Sequence, residues 1–385
     1  MTNSRIAIFF SGGFRPFFLG AGLLAFLFVP LWLAAFLSLS DHLTFALSLD
    51  WHTHEMLFGY FGAVVAGFLL TAIPNWTGRP PLSGPPLILL FLLWLAGRLV
   101  MAMPGHALDL LIDGAFLVIM TGVALREVYK GQNWRNIPVV VFIALYALSN
   151  IAFHLERLQK IDADFAVRGG LSVLILLISL IGGRIIPIFS GNWLSQQNLP
   201  VGIKPFGLYD KLTLMVTAGT LILWTAAVYP AVTGALFVLS ALLQGYRLLR
   251  WQCWTIRQNA LLLALHVAYL WLPVGFLLLG ADLLDVGLPF GQTEGIHALT
   301  AGLMTMMTLA VMSRAILGHT GRPLEAGKAG TIIFGLICFA ALLRICAPLS
   351  GQYQPLLLAA GGLWSLGYLI FLIHFGRMML LPRQD

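Results

Sequence analysis

The residues best suited to chemistry stand together at Trp51-His52-Thr53-His54-Glu55-Met56-Leu57-Phe58-Gly59, where two imidazoles and a carboxylate open an apolar run reaching Ile73. An ionisable group inside a bilayer is expensive and marks function by default, and imidazole is the commonest protein metal ligand. On a regular helix His52 and His54 differ by about 200°, so they face different neighbours and cannot both serve one metal. Glu55 and Gly59 fall on the face of His52, while Phe58 and Phe61 fall on the face of His54, as an apolar wall for a flat macrocycle would. Asp50 is the expected N-cap of this helix.

Other candidates are spread along the chain. His297 opens a later apolar run beside Glu294, and with His54 it could supply the two axial imidazoles of a haem. His154 closes a run that also carries Tyr146 and Asn150 at one-turn intervals. Lipid offers such a stripe no partners, so it must face protein or a cavity. Asn150 could orient His154, as outer-shell groups orient metal ligands, and a helix–helix hydrogen bond is the alternative. His266 lies within its run between Asn259 and Tyr269, and His52, His154 and His266 are candidates for copper or a second haem. His319 and Arg322 suit a supporting role or phospholipid headgroups, whereas His42, His106 and His374 read as loop or interface residues. Asp109 and Asp113 share one helix face, with Arg98 at similar depth on the preceding run. A buried Asp113–Arg98 pair needs no function; the alternatives are a haem propionate on Arg98, or a proton path through the acids and Glu55.

These residues must be held by membrane helices. Of the 385 residues, 59% are hydrophobic and 10% charged, with a mean hydropathy of +0.91, whereas soluble domains carry about 25% charged residues. The chain is therefore an all-α polytopic membrane protein. In that setting the net charge of +7 reflects where basic residues lie and implies no nucleic acid partner. The three cysteines show no CxxC spacing, which argues against a disulfide framework or a thiolate zinc site. No GK[ST] loop, HExxH or CxxCH occurs, so any haem would be held non-covalently. The first apolar run follows Arg15-Pro16 and is long enough to stay as a helix, so no cleaved signal is expected.

A span needs about 20 apolar residues, and twelve runs qualify: 17–39, 53–73, 85–103, 106–126, 137–156, 167–189, 207–228, 231–249, 259–280, 293–317, 329–348 and 354–378. Of the 22 Lys and Arg residues, only Arg98, Arg157, Lys160, Arg168 and Arg344 fall on the side opposite the N-terminus. That bias places both termini in the cytoplasm and the histidine-rich ends outside. His54 and His297 each precede a Thr-Gly-Arg-Pro by the same interval and each has a glycine five residues on, Gly59 and Gly302. Ile186-Pro187-Ile188-Phe189-Ser190-Gly191 echoes Ile73-Pro74-Asn75-Trp76-Thr77-Gly78. Matches at spans 2, 6 and 10 suggest three four-helix pseudo-repeats, about 1–130, 131–250 and 251–385, within a single transmembrane domain.

The motifs resemble those of the NnrS family of bacterial membrane proteins. The matching pieces begin with Arg15-Pro16-Phe17-Phe18-Leu19, the Trp51–Gly59 stretch, Gly67-Phe68-Leu69-Leu70-Thr71-Ala72 and Pro74-Asn75-Trp76-Thr77-Gly78. Gly183-Arg184-Ile185-Ile186-Pro187, His266 with Tyr269-Leu270-Trp271, His297-Ala298-Leu299-Thr300 and Gly318-His319-Thr320-Gly321-Arg322-Pro323 complete the set. The resemblance implies a haem- and copper-containing inner-membrane protein of the nitric oxide and nitrosative stress response, often alongside denitrification, with an unknown electron donor. Copper and nitric oxide rest on the resemblance alone. Twelve spans with histidines on spans 2 and 10 also look like a haem–copper oxidase subunit, but the adjacent His-His pair of that copper site is absent. The other reading of the residues is a proton-coupled twelve-helix transporter, in which the same histidines relay protons.

Overall fold

A computed structural model describes residues 5–38, 47–102, 108–159, 161 and 164–384. His42, His106 and Lys160 lie outside the described residues. The described chain is helical, with no strand. After a short helix at Arg5–Phe9 come α1 (Phe14–Phe36), α2 (Leu49–Thr77), α3 (Pro85–Met101), α4 (Leu108–Lys130), α5 (Ile137–Leu158) and α6 (Asp164–Gln196). Then follow α7 (Leu208–Ala226), α8 (Pro230–Leu249), α9 (Ala260–Leu283), α10 (Gln292–His319), α11 (Gly327–Cys346) and α12 (Tyr353–Met379).

Among the described residues, 10 helices are long and apolar enough to cross a membrane. The two other expected spans are also helices, and each departs for a visible reason. With 17 residues, α3 rises only about 26 Å, short of a hydrocarbon core of about 30 Å. The inward face of α7 carries Asp210, Thr213, Thr217 and Thr220, which lowers its hydropathy. Leucines such as Leu89, Leu92 and Leu99 on α3 point outward, as suits a lipid surface and would be an anomaly in water.

The chain forms two compact units: residues 1–173, 315–323 and 368–385 make the first, and 174–314 with 324–367 make the second. In the first unit Arg15 is buried and its Nη1 donates to the carbonyls of Met379 (2.5 Å) and Leu381 (2.8 Å), tying the start of α1 to the end of α12. Phe17 packs against Phe91, Trp94 and Phe116, joining α1, α3 and α4.

The N-cap of α2 is Ser48, whose Oγ accepts from Trp51 N at 3.2 Å; the expected cap, Asp50, sits in the first turn, 3.9 Å from Arg157 Nε. Directly after His54, α2 widens into a π-helical turn over Glu55–Tyr60. In the second unit α10 does the same directly after His297, over Ala298–Met304. A π turn disturbs the ordinary backbone ladder, and inside a membrane bundle its carbonyls need donors. Tyr146 OH bonds Leu57 O and Trp94 Nε1 donates to Gly59 O at 3.0 Å, so two neighbouring helices hold the turn open. The Thr-Gly-Arg-Pro segments after α2 and α10 both place glycine at positive φ, Gly78 at 67° and Gly321 at 73°. The Ser190-Gly191 echo does not end its helix, because α6 continues to Gln196.

A Cβ on Gly59 would overlap Arg98 Nη1, so the π turn and α3 approach as closely as they do only because residue 59 has no side chain. Gly59→Ala is expected to destabilise the protein by about 1–3 kcal/mol, the usual range for overpacking. Gly122→Ala, where no atom lies within 4 Å of the added carbon, should be neutral or slightly stabilising. Thermal denaturation of the two variants in detergent measures the difference.

Candidate metal centre

Four helix ends of the first unit converge on one buried cluster. From α2 come His54 and Glu55, from α3 Arg98, from α4 Asp113, and from α5 Asn150 and His154; none is more than 6% exposed. The antiparallel order of α2 to α5 puts the start of α2, the end of α3, the start of α4 and the end of α5 at the same end of the unit.

Asp113 is the hub. Its Oδ2 lies 3.1 Å from His54 Nε2 and 3.1 Å from His154 Nε2, and it accepts from Asn150 Nδ2 at 2.8 Å. Its Oδ1 accepts from Arg98 Nη2. The other guanidinium nitrogen, Nη1, donates to both oxygens of Glu55 at 2.8 Å, and Glu55 Oε1 lies 3.1 Å from His54 Nδ1. His54 Nε2 also faces Asn150 Oδ1 at 3.1 Å. Phe58 and Phe153 close the ring at centroid distances of 5.4 and 5.0 Å from His54.

The charges decide what this arrangement can do. Two carboxylates face one guanidinium, leaving one negative charge in a water-excluded site. A proton on His54 balances it, and so does a cation held by His54, Asp113 and His154. Those three residues each offer one ligand atom, all within 4.8 Å of one another. Ligands at about 2.0–2.2 Å from a metal lie about 3.0–3.5 Å apart, which is how far Asp113 Oδ2 stands from each imidazole Nε2. The donor set therefore fits a small first-row ion, since imidazole and carboxylate together suit such metals.

The fit to a haem is poor at His54. Both of its ring nitrogens face polar partners at 3.1 Å, and the side chain is wholly buried. An axial bond would have to displace the Asp113 and Asn150 contacts and open the phenylalanine wall.

Several expected residues stand elsewhere. His52 turns away from His54 and stacks on Trp32 of α1 at 4.0 Å, as the 200° separation requires. Glu55 sides with His54 rather than His52: its carboxylate meets His54 Nδ1 and the Arg98 guanidinium. Asn150 bonds Asp113 and faces His54 instead of orienting His154. Phe14, near the start of α1, packs on His319 at 5.5 Å, while Trp32, eighteen residues later, packs on His52. That separation is about 27 Å along the helix, so His319 does not belong to the cluster, and Arg322 bonds Thr320 beside it. His374 is exposed.

In the second unit His297 Nδ1 donates to Thr293 O at 2.7 Å and His266 Nδ1 to Leu262 O at 2.9 Å. Such contacts fix an imidazole tautomer. Glu294 pairs with Arg344 of α11 at 3.4 Å. Tyr269 joins a separate buried network: its hydroxyl donates to Gln244 Oε1 at 2.7 Å and accepts from Arg247 Nη1 at 2.9 Å, while Arg247 Nε donates to Asp210 Oδ1 at 2.7 Å. Sequence spacing does not reveal this network, and it offers Asp113 as a partner of Arg98 or as part of a proton path with Glu55, without the two histidines it joins. The signal available was the charge itself, since Asp113 lies inside an apolar run whose aspartates recur on one face.

Breaking a buried pair strands its partners, at a cost of about 3–5 kcal/mol. Arg98→Met is expected to show a loss of that order. Arg126→Met removes a mostly exposed partner of Glu127, and surface pairs are worth about 0–1 kcal/mol. Urea or thermal unfolding in detergent compares the two.

The family model described as NnrS protein matches residues 8–383. No curated protein matches the chain.

Proposed function

The chain belongs to the NnrS family, and from that premise we propose a metal-binding protein of the bacterial inner membrane that acts in the response to nitric oxide. Its metal is held by His54 Nε2, His154 Nε2 and Asp113 Oδ2. The single observation behind this reading is the convergence of two imidazoles on one carboxylate oxygen at 3.1 Å each, inside a cluster whose fixed charges leave one negative charge over.

Arg98 and Glu55 act on this site at one remove. Arg98 fixes the Asp113 carboxylate through Oδ1, leaving Oδ2 directed at the imidazoles. Glu55 accepts from Arg98 and holds His54 by Nδ1, which presents Nε2 to the centre. Outer-shell partners of this kind set the orientation and basicity of ligating histidines. Copper, which the family resemblance implies, accepts this imidazole and carboxylate donor set. When bound there, a redox-active ion would supply ligand binding and electron transfer to a small molecule such as nitric oxide. Haem is not assigned to His54; His297 and His266, with Nδ1 on a backbone carbonyl, are the imidazoles proposed for it.

The architecture proposed is twelve spans with both termini cytoplasmic and the cluster on the periplasmic side. The pseudo-repeat is supported at α2 and α10 by the π turn that follows each histidine. A second support is the glutamate–arginine pair each makes with the next helix, Glu55–Arg98 and Glu294–Arg344. A proton-coupled transporter is the second reading, favoured by the fact that a proton on His54 balances the cluster as a metal would.

Metal analysis separates the two. Purified protein is expected to carry or take up about one copper or other first-row ion per chain at this site. Asp113→Asn and His154→Ala should each weaken binding at least 10-fold, since losing even an outer-shell partner typically costs about 10–100-fold, while His374→Ala leaves it unchanged. Equal metal content in all four proteins, or none in any of them, contradicts the proposal. An absorption spectrum of the same samples, as isolated and reduced, reports haem through its Soret band. Retention of that band in His54→Ala with its loss in His297→Ala is the expected pattern.

A further inference from the structure

Asp109 stands outside the ligand set, toward the start of α4. It lies four residues before Asp113 on α4, on the same face and about 6 Å nearer the helix start. It is only 5% exposed, and its Oδ1 is buried without a hydrogen-bond partner. His154, the ligand at the outer edge of the cluster, lies within electrostatic range of it. A buried carboxylate oxygen without a donor is costly, and the guanidinium of the cluster, Arg98, is committed to Glu55 and Asp113. The first turn of α4 favours its negative charge through the helix dipole but gives Oδ1 no hydrogen bond.

We infer that Asp109 is the capture ligand for the metal centre: it binds an incoming divalent cation at the mouth of the cluster and passes it to His154 and Asp113. This rests on the metal reading of His54, Asp113 and His154. The geometry supplies the order of contacts. A cation entering from the helix ends meets Asp109 first, then His154, and only then Asp113 and His54, which are 2% and 0% exposed. The transfer exchanges one carboxylate for another one turn deeper, so the charge around the ion stays balanced throughout. Asp109 drops out of the final shell because Asp113 and the two imidazoles already provide three converging ligand atoms. Its role is therefore in rate, with little effect on final affinity.

The test uses full-length protein stripped with a chelator and then mixed with Cu²⁺, followed by stopped-flow absorption, with copper content measured at equilibrium. Asp109→Asn keeps the shape of the side chain, and Asp109→Ser guards against an effect of the amide. Both are expected to slow Cu²⁺ loading at least tenfold, and chelator-driven release by a similar factor, while stoichiometry stays at the wild-type value. Asp50→Asn removes an exposed carboxylate from the same end of the protein and should load at the wild-type rate.

Wild-type loading in both Asp109 variants overturns the inference. So does equal slowing in Asp50→Asn, which would trace the rate to general surface charge. Loss of equilibrium binding as complete as in Asp113→Asn overturns it too, by making Asp109 a permanent ligand. Failure of the wild-type protein to bind Cu²⁺ at all removes the metal reading itself, and is recognised because no variant then differs.

Discussion

The first unit is built around one guanidinium. Arg98 is buried where water cannot solvate it, and it stands only because Glu55 and Asp113 approach it from two other helices. Each carboxylate in turn depends on Arg98 and on an imidazole. Ions so placed are tolerable only when every partner is present, so α2, α3, α4 and α5 must arrive in one register or not at all. The glycines follow from the same requirement. Residue 59 can carry no side chain beside Arg98, and a Cβ on Gly97 would lie 2.7 Å from Asp113 Oδ1.

The π turn is how α2 meets that demand. An ordinary helix would continue the rotation that sends His52 towards Trp32 and would place Glu55 near the same face. The turn widens over Glu55–Tyr60 directly after His54, and the carbonyls of Leu57 and Gly59 are taken by Tyr146 and Trp94. The matching turn after His297 in α10 applies the same device in the second unit.

Much of this was legible in the sequence. Composition alone gives a polytopic helical protein, because a chain this poor in charge has no other place to fold. The Tyr146-Asn150-His154 stripe announced a polar face that lipid could not accept, and the Arg98–Asp113 pair was visible as opposite charges at similar depth. Their partners were less visible. Period counting assumes a uniform helix, so it sent Glu55 to the wrong neighbour. Ser48 outcompeted Asp50 as cap, a choice that turns on backbone angles two residues away. The α6 echo of the α2 ending failed because Ser190-Gly191 takes no left-handed turn there. The Asp210–Arg247 network lay hidden because its members come from α7 and α8 and look, one at a time, like residues at helix ends.

The central claim is that two imidazoles and one carboxylate of the first unit form a metal shell. X-ray absorption at the edge of copper loaded into the intact protein addresses it most directly. The account predicts a first shell of nitrogen and oxygen neighbours at about 2.0–2.2 Å, with outer-shell scattering from two imidazoles that falls to one in His154→Ala. A shell with the same imidazole scattering in wild type and His154→Ala, or one dominated by sulfur, would contradict it.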